Sequence, residues 1–431
     1  LPRMLKRLKK RISESDFLKS LAILMTGTLI AQIIGYLLAP IITRIYTPAE
    51  MGEFGIFYRI TLLITTIGTL RYELAIPLPK RDSHAFYLFR FALKTTLITA
   101  ILSLLTGVVF GLYKHQTVDY YLVLLLLVAA IFSLAFYNLG TNWAIRKEKF
   151  KKLSMAKLVN SASLNGSRVI FGLFNFGSFG LIISFVLSLI IGSAFFVYDF
   201  FKFNFLSKSI FSKLKTRVVR KEYKNFPLAS LPHALSDHAR DLLVGIIIIE
   251  VFSETIFGSF DHTYKMLRIP VMLIGASLSQ VFFNRISKYF NEGISIMPLF
   301  KKTVTSLFLL SIIPFLVIYL FGTELFTFVF GEQWMIAGQL SEIMAPWLMI
   351  NFIVTPLSTI PLVFNTQRSF FVIGLITSLL QISGFLLLPG LLLDNSQEMI
   401  VTFQIVTWSQ VLMNILVLIY LYKIVAKQKL N

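Results

Sequence analysis

The sequence predicts an all-α polytopic membrane protein with twelve transmembrane helices. Of its 431 residues, 56% are hydrophobic and only 14% are charged. A soluble domain carries about 25% charged residues, so this chain has too little polar surface for a soluble multi-domain enzyme. Its apolar runs are long and continuous, which favours helices over strands, because membrane strands show a short alternating pattern.

Twelve segments are apolar over about 20 residues, the length that an α-helix needs to cross a bilayer. We place these spans at residues 20–43, 53–70, 86–111, 120–141, 155–175, 179–200, 228–251, 256–283, 303–322, 336–363, 369–392 and 399–422. The longest segment between them follows span 6, so it divides the spans six and six.

The distribution of basic residues predicts the orientation of the spans. With the N-terminus inside, the segments on that side hold 31 Lys and Arg residues, whereas the outside loops hold only Arg44 and Lys114. Cytoplasmic loops of membrane proteins carry such an excess. Both termini are therefore expected in the cytoplasm, in a bacterial inner membrane. The formal net charge of +20 records this orientation and requires no nucleic-acid partner.

The spans divide into two predicted lobes. Residues 1–200 form the first six-helix lobe, 201–227 a basic cytoplasmic linker and 228–431 the second six-helix lobe. The motif Gly-x-Phe-x-x-x-Tyr-(Arg/Lys) begins at Gly52 and again at Gly258, 206 residues later, and opens spans 2 and 8 alike. These matching positions indicate a parallel internal repeat, as in several classes of transporter.

Charged residues inside the spans are the candidate functional residues. An ionisable group at the bilayer centre costs about 2.5–3.5 kcal/mol on insertion scales, so it is rarely kept without a role. In spans 7 and 8 these groups share one helical face, because residues three and four apart are neighbours on a helix. The predicted substrate-binding cations are Arg59, Arg168, Arg240, Lys265 and Arg268. The predicted ion-coupling acids are Asp237, Asp241 and Asp261.

The balance of these charges favours an anionic substrate. Most of the cations are arginines, and an arginine can bind phosphate through two parallel hydrogen bonds. We expect H+ or Na+ to be the coupling ion. Structural alternatives remain open: cations near the span ends can snorkel to the interface, and a pair such as Asp261 with Lys265 can lock a helix in place.

Signals of enzyme chemistry are missing from the sequence. It contains no cysteine and no Walker motif for nucleotide phosphates, and no carboxylate pair lies in a soluble region. We therefore expect no enzyme activity, no cofactor and no metal centre.

Pro270 follows Arg268 within span 8, and a proline at that position is expected to break the helix.

Three stretches of the chain resemble a known family. They are residues 40–48 (PIITRIYTP) with 52–55 (GEFG), residues 70–80 (LRYELAIPLPK) and residues 142–150 (NWAIRKEKF). Over residues 20–155 the chain is similar to bacterial polysaccharide export flippases of the Wzx type. These belong to the polysaccharide transporter branch of the multidrug/oligosaccharidyl-lipid/polysaccharide (MOP) exporter superfamily.

The resemblance implies two six-helix lobes in a V and a flippase function. It implies transport of undecaprenyl-diphosphate-linked oligosaccharide from the cytoplasmic to the outer leaflet, for the synthesis of surface polysaccharide such as O-antigen. Membrane lipids, a polysaccharide polymerase and chain-length proteins are the further partners it suggests. The lipid II flippase branch uses cavity arginines in its first, second and eighth helices. Here Arg59 fills the second position and Lys265 or Arg268 the eighth, while span 1 has no buried arginine.

Two other functions remain open at this stage. A multidrug or cation antiporter of the same superfamily would have the same twelve spans. A structural partner within a glycan assembly complex would tolerate the loss of every charge in the spans. The missing arginine in span 1 favours the polysaccharide branch over the lipid II branch.

Overall fold

The computed structural model describes residues 16–206, 213–269, 276–391 and 398–428, and these residues form helices and no strand. The helices are α1 (Asp16–Ile45), α2 (Pro48–Thr69), α3 (Asp82–Tyr113), α4 (Val118–Arg146), α5 (Phe150–Leu173), α6 (Gly177–Leu206), α7 (Lys213–Glu222), α8 (Leu231–Val251), α9 (Glu254–Leu267), α10 (Ala276–Asn291), α11 (Met297–Phe330), α12 (Met335–Leu357), α13 (Ile360–Val363), α14 (Gln367–Leu391) and α15 (Glu398–Ala426). Short 3₁₀ turns lie at Tyr72–Ala75 and Glu332–Trp334, and a π-helical turn lies at Phe226–Ser230.

Every predicted span corresponds to a helix or to a pair of helices, and the prediction of an all-helical membrane fold is confirmed. Span 8 is divided, because α9 ends at Leu267 and α10 begins at Ala276. Pro270, which was predicted to break this span, lies outside the described residues. Span 10 is divided into α12 and α13, and Pro361 lies in the first turn of α13, where its missing N–H needs no partner.

Within the described ranges, eight helices are long and apolar enough to cross a membrane. They are α1, α3, α4, α6, α11, α14 and α15, together with the segment Glu332–Val363 that contains α12 and α13. Their number makes the chain a multi-pass membrane protein. The other four predicted spans, which correspond to α2, α5, α8 and the pair α9 and α10, are too polar or too short to meet that criterion.

The chain folds into two compact units. The first contains the described residues up to Tyr46 and Ile56–Leu242, and the second contains Thr47–Gly55 and the described residues from Leu243 onward. These units divide the chain at other positions than the predicted boundaries of 1–200 and 228–431. The start of α2 belongs to the second unit, and the first half of α8 belongs to the first.

The described part of the predicted linker is a helix that packs on the first unit. In α7, Val219 is buried, and the guanidinium of Arg220 lies 3.9 Å from the ring centre of Phe91. The hydroxyl of Tyr72 donates a hydrogen bond of 3.3 Å to the backbone carbonyl of Arg220. This basic helix is therefore held by an apolar contact, a cation–π contact and a hydrogen bond.

The two glycines of the predicted repeat lie at close contacts within the second unit. A Cβ atom added to Gly52 would lie 2.5 Å from the backbone oxygen of Glu254, and one added to Gly258 would lie 1.7 Å from that of Pro48. Real side chains do not tolerate such distances. Glycine is therefore required at both positions so that the start of α2 can pass directly against α9.

Arg146 joins two of the stretches that carry the family resemblance. From the last turn of α4 its guanidinium donates hydrogen bonds to the carbonyls of Ile76, Pro77 and Pro79 at 3.4, 3.3 and 2.5 Å. Its Nε also lies 2.9 Å from Oδ1 of Asp82, whose second oxygen binds Lys147. Arginine suits this position because its planar group presents several donors at once. The loop between α2 and α3 is thus fixed to the end of α4.

Candidate functional site

All eight predicted site residues lie within the four predicted spans whose helices do not meet the length and composition criterion. Arg59 lies on α2, Arg168 on α5, and Arg268 immediately after α9, which has only 14 residues and so falls short by length. The remaining residues lie on α8 and α9; they are Asp237, Arg240, Asp241, Asp261 and Lys265. Polar groups in a membrane helix normally face the protein interior or a water-filled cavity. These charged side chains therefore mark the candidate site.

In the second unit, Asp261 and Lys265 form an ion pair along one face of α9. Nζ of Lys265 lies 2.5 Å from Oδ2 of Asp261, one helical turn earlier. The aspartate side chain is only 5% exposed, whereas the lysine side chain is 45% exposed. The lysine can therefore reach a ligand in solution, but the carboxylate cannot leave its buried position.

Arg268 follows directly after α9 and is held by Tyr264. Its Nη1 donates a 2.9 Å hydrogen bond to the tyrosine hydroxyl, and its guanidinium carbon lies 5.0 Å from the centre of the same ring. That ring lies 5.7 Å from the ring of Trp347 on α12. Nε of Arg268 is buried and has no hydrogen-bond partner among the described residues. Tyr264 therefore orients the guanidinium of Arg268.

In the first unit, the charges of α8 form one cluster. Arg240 donates to Oδ1 of Asp241 from Nε and Nη2 at 3.1 and 2.9 Å, and its Nη1 lies 3.9 Å from Asp237. Asp237 also lies 3.3 Å from Nδ1 of His233. The shared face predicted for these residues is therefore present. The guanidinium of Arg240 is largely engaged by two acids, so it offers less positive charge to a substrate than its residue type alone suggests.

Arg168 lies among aromatic side chains of the first unit. Its backbone carbonyl accepts a 2.8 Å hydrogen bond from the hydroxyl of Tyr46, and the hydroxyls of Tyr46 and Tyr58 are close enough to interact with its charge. The ring of Tyr58 packs edge-on against Phe185 at 5.4 Å. Arg59, the next residue on α2, is half-buried.

Neighbouring polar residues of α5 have structural roles. Ser161 donates a 2.5 Å hydrogen bond to the carbonyl of Ala31, and Lys157 donates one of 3.2 Å to the hydroxyl of Thr28. Both bonds join α5 to α1. Ser161 and Lys157 therefore help to hold α5 against α1.

The sequence analysis missed Arg71, which lies between α2 and the 3₁₀ turn. It lines a cavity of about 600 Å³ in the first unit together with residues of α8, including His233 and Asp237. The available signal was an arginine directly after an apolar span. Its position could not be inferred, because it depends on a left-handed turn and on the packing of α8 against the loop.

Among the described residues, no group of three or more His, Cys, Asp or Glu side chains could hold a metal ion. The candidate site therefore consists of charged side chains, tyrosines and backbone groups. Such a set can bind and release ions and phosphates.

Comparisons with known proteins place the chain in a sequence family. Residues 41–338, well over half of the chain, match the family model described as polysaccharide biosynthesis protein. The chain has no significant match among curated proteins.

Several solved transporters share the fold. An inward-facing multidrug resistance MATE family transporter of the MOP superfamily has a TM-score of 0.70 at 15% identity, and the match covers 93% of this chain and 99% of that chain. The lipid II flippase MurJ in an inward closed conformation has a TM-score of 0.68 at 12% identity, with 93% and 86% covered. A MOP superfamily transporter from Pyrococcus furiosus, described as having a binding pocket of reverse polarity, has a TM-score of 0.59 at 15% identity, with 95% and 96% covered. At these identities the matches show that the chain shares the fold of these transporters.

Proposed function

The chain belongs to the polysaccharide biosynthesis protein family, and on that premise we propose that it is a lipid-linked oligosaccharide flippase. Its substrate is undecaprenyl-diphosphate-linked oligosaccharide, which it moves from the cytoplasmic to the outer leaflet of a bacterial inner membrane. One observation supports this proposal beyond the family: four of the five candidate cations are arginines, which can bind phosphate through two parallel hydrogen bonds. Both termini lie in the cytoplasm, as the basic loops indicate.

The predicted cations are the proposed ligands of the substrate diphosphate. Arg268 is the first of them, because Tyr264 orients its guanidinium. Lys265 adds an exposed ammonium, and Arg59 is the candidate cation of α2. Arg168 and Arg240 complete the set as weaker contributors, since Arg240 is already shared with Asp241. A diphosphate satisfies such donors through charge-assisted hydrogen bonds.

The proposed ion-coupling residue is Asp261, whose ion pair with Lys265 is broken when the substrate binds. When the diphosphate draws Lys265 away, Asp261 is left as a buried carboxylate without its cation. Loss of the lysine from a buried ion pair is costly, so Asp261 then takes up H+ or Na+. Release of that ion restores the ion pair and expels the substrate. Asp237 and Asp241 form the second candidate acid pair, in the cluster around Arg240.

Multidrug or cation antiport is the second candidate function. The observation that favours it is the cluster on α8, where two carboxylates surround one guanidinium. An acidic cluster suits a cationic drug better than a diphosphate. This function predicts that cells lacking the protein become sensitive to cationic dyes and keep their surface glycan.

A complementation experiment tests the proposal. A strain that lacks the gene should lose surface polysaccharide, and the wild-type gene should restore it. Variants Arg59→Ala and Arg268→Ala should fail to restore it at equal protein level, whereas Arg285→Ala, an exposed arginine of α10 away from the candidate cations, should succeed. Restoration of surface polysaccharide to wild-type levels by both Arg59→Ala and Arg268→Ala would contradict the proposal. The polymerase and chain-length proteins of the same pathway are the expected partners.

A further inference from the structure

A polar cavity lies in the first unit, and none of the five predicted cations is among its lining residues. Its volume is about 600 Å³, within the usual range for small-ligand sites. One wall is the turn after α2, and the other is the π-helical turn and the first half of α8. The lining residues are Arg71, Leu74, Ala229, Ser230, His233, Ala234, Asp237 and His238.

Arg71 reaches this cavity through a strained backbone. Leu70 and Arg71 both have left-handed conformations, with φ values of 52° and 61°. A non-glycine residue in that region is strained, and such strain collects at functional sites. The chain uses two consecutive residues of this kind to end α2 and to start the 3₁₀ turn that contains Glu73.

Glu73 fixes the guanidinium of Arg71 without using all of its donors. Its Oε1 lies 3.3 Å from Nη1 of Arg71, and the carboxylate side chain is buried. Nε of Arg71 is also buried and has no hydrogen-bond partner among the described residues. Burial raises the pKa of Glu73, although a hydrogen bond from Thr69 and the charge of Arg71 act against that shift. The arginine is therefore oriented by Glu73, and its side chain remains 27% exposed.

The opposite wall supplies further polar groups. The π-helical turn Phe226–Ser230 precedes α8, and such turns frequently occur at functional sites. Ser230, His233 and His238 each present a group that can donate a hydrogen bond. The one lining carboxylate, Asp237, already lies 3.3 Å from His233 and 3.9 Å from Arg240. The guanidinium of Arg240, which does not line the cavity, offsets part of the charge of Asp237.

The remaining lining residues are apolar. Leu74, Ala229 and Ala234 lie beside the polar groups, and the Leu74 side chain is partly exposed. A cavity with one polar and one apolar part fits an amphiphile with a charged head. A fully hydrated inorganic ion would gain nothing from the apolar part.

We propose that this cavity binds the phosphate ester of a lipid, with Arg71 as the principal ligand and Ser230, His233 and His238 as supporting donors. This inference rests on the proposed function: the cavity is an entry site that holds the diphosphate of the lipid-linked substrate before the cations of α2 and α9 receive it. Membrane phospholipids share the same head chemistry, so the source of the phosphate is decided by experiment.

Binding to the purified full-length protein tests the inference. In detergent, inorganic diphosphate is titrated against wild-type protein and Arg71→Ala by calorimetry. Loss of a charged donor should weaken binding about tenfold or more. Arg71→Lys should weaken it less, because it keeps the charge and loses the fork of donors. Arg285→Ala, an exposed arginine elsewhere, should bind like the wild type. Unchanged binding by folded Arg71→Ala would overturn the inference.

A second variant guards against a folding failure of Arg71→Ala. Ala234→Phe fills the cavity from α8 and leaves the turn at Arg71 intact. It should weaken diphosphate binding as strongly as Arg71→Ala does, and wild-type binding by this variant would refute the site. In nanodiscs, undecaprenyl diphosphate should compete with inorganic diphosphate. If cardiolipin competes and undecaprenyl diphosphate does not, the site is a phospholipid site and the entry role is wrong.

The same measurements separate this inference from the proposed function. Arg268→Ala should abolish flipping and leave diphosphate binding at the cavity within about twofold of wild type, because Arg268 is not among the residues that line the cavity. If Arg268→Ala flips the lipid normally while Arg71→Ala loses diphosphate binding, the proposed role of Arg268 in flipping is wrong. The phosphate site at Arg71 is then still supported.

Discussion

Nζ of Lys265 lies 2.5 Å from Oδ2 of Asp261, and the two side chains differ ninefold in exposure, at 45% and 5%. The pair is therefore asymmetric. The cation can leave it for a ligand or for water, whereas the carboxylate remains buried in α9. This asymmetry makes the pair suitable for exchange between a substrate phosphate and a coupling ion, which is the central step of the proposed mechanism.

The asymmetry predicts unequal effects of removing each partner. Lys265→Ala leaves a buried carboxylate without a cation and should destabilise the protein by about 3 kcal/mol. Asp261→Asn leaves a lysine that can rehydrate, so it should cost about 1 kcal/mol. Thermal unfolding of the detergent-purified protein measures both. Equal losses from the two variants would show that the pair is not asymmetric. The double variant Asp261→Asn with Lys265→Ala should recover part of the stability lost in Lys265→Ala alone.

The glycine contacts in the second unit predict a steric effect. Gly258→Ala places a Cβ 1.7 Å from the backbone oxygen of Pro48, so the start of α2 must shift. We expect a loss of about 3 kcal/mol or more, or no folded protein. Gly374→Ala is the matched control, since no atom lies within 4 Å of its new Cβ. That variant should be neutral or stabilising by up to about 1 kcal/mol. Wild-type stability of Gly258→Ala would contradict the close contact.

Arg146 predicts a loss of order in the loop between α2 and α3. Arg146→Ala removes the donors to three loop carbonyls and one partner of Asp82, and it should cost about 3 kcal/mol. Arg146→Lys should recover only part of the loss, because one ammonium can replace Nη1 at the loop carbonyls but cannot also replace Nε at Asp82. Limited proteolysis within residues 71–81 should become faster in both variants. Cleavage at the wild-type rate would refute the role of Arg146.

The contact of Asp82 with Arg146 and Lys147 should depend on pH. Desolvation alone would raise the pKa of Asp82, but hydrogen bonds and charge from Lys147 and Arg146 outweigh it and hold the pKa below its ordinary 3.8. A lowered carboxylate pKa gives stability that is present above the ordinary value and lost as the pH falls through the folded-state value. The wild type should therefore unfold at a higher temperature than Asp82→Asn at pH 7, and the difference should narrow below pH 3.8. A difference that does not change with pH would contradict this account.

The sequence predicted the helices well because the signal for a span is local. Apolar runs of about 20 residues need no tertiary information, and each of the twelve predicted spans is matched by a helix or a helix pair. Pro270, which was expected to break span 8, lies outside the described residues. The bounds of the compact units do not follow from local patterns. Whether Gly52 groups with Gly258 depends on a contact between residues 206 positions apart.

The candidate site was predictable only in part. Helical periodicity places Asp261 beside Lys265, and Asp237 beside Arg240, because those pairs lie one turn apart. Helical periodicity does not predict that the side chain of Asp261 is buried while that of Lys265 is exposed. Arg71 was missed because its direction comes from a left-handed turn that no local residue type demands. The roles of the five predicted cations remain predictions.

The most direct test of the central claim is lipid flipping in proteoliposomes. A fluorescent undecaprenyl-diphosphate oligosaccharide is incorporated, and the fraction accessible to an external quencher is followed with time. Wild-type protein and Arg285→Ala should flip the lipid at equal rates. The double variant Arg59→Ala with Arg268→Ala should flip at least about tenfold more slowly, since two charged ligands of the diphosphate are lost. A wild-type rate in the double variant would contradict the claim that these cations carry the substrate.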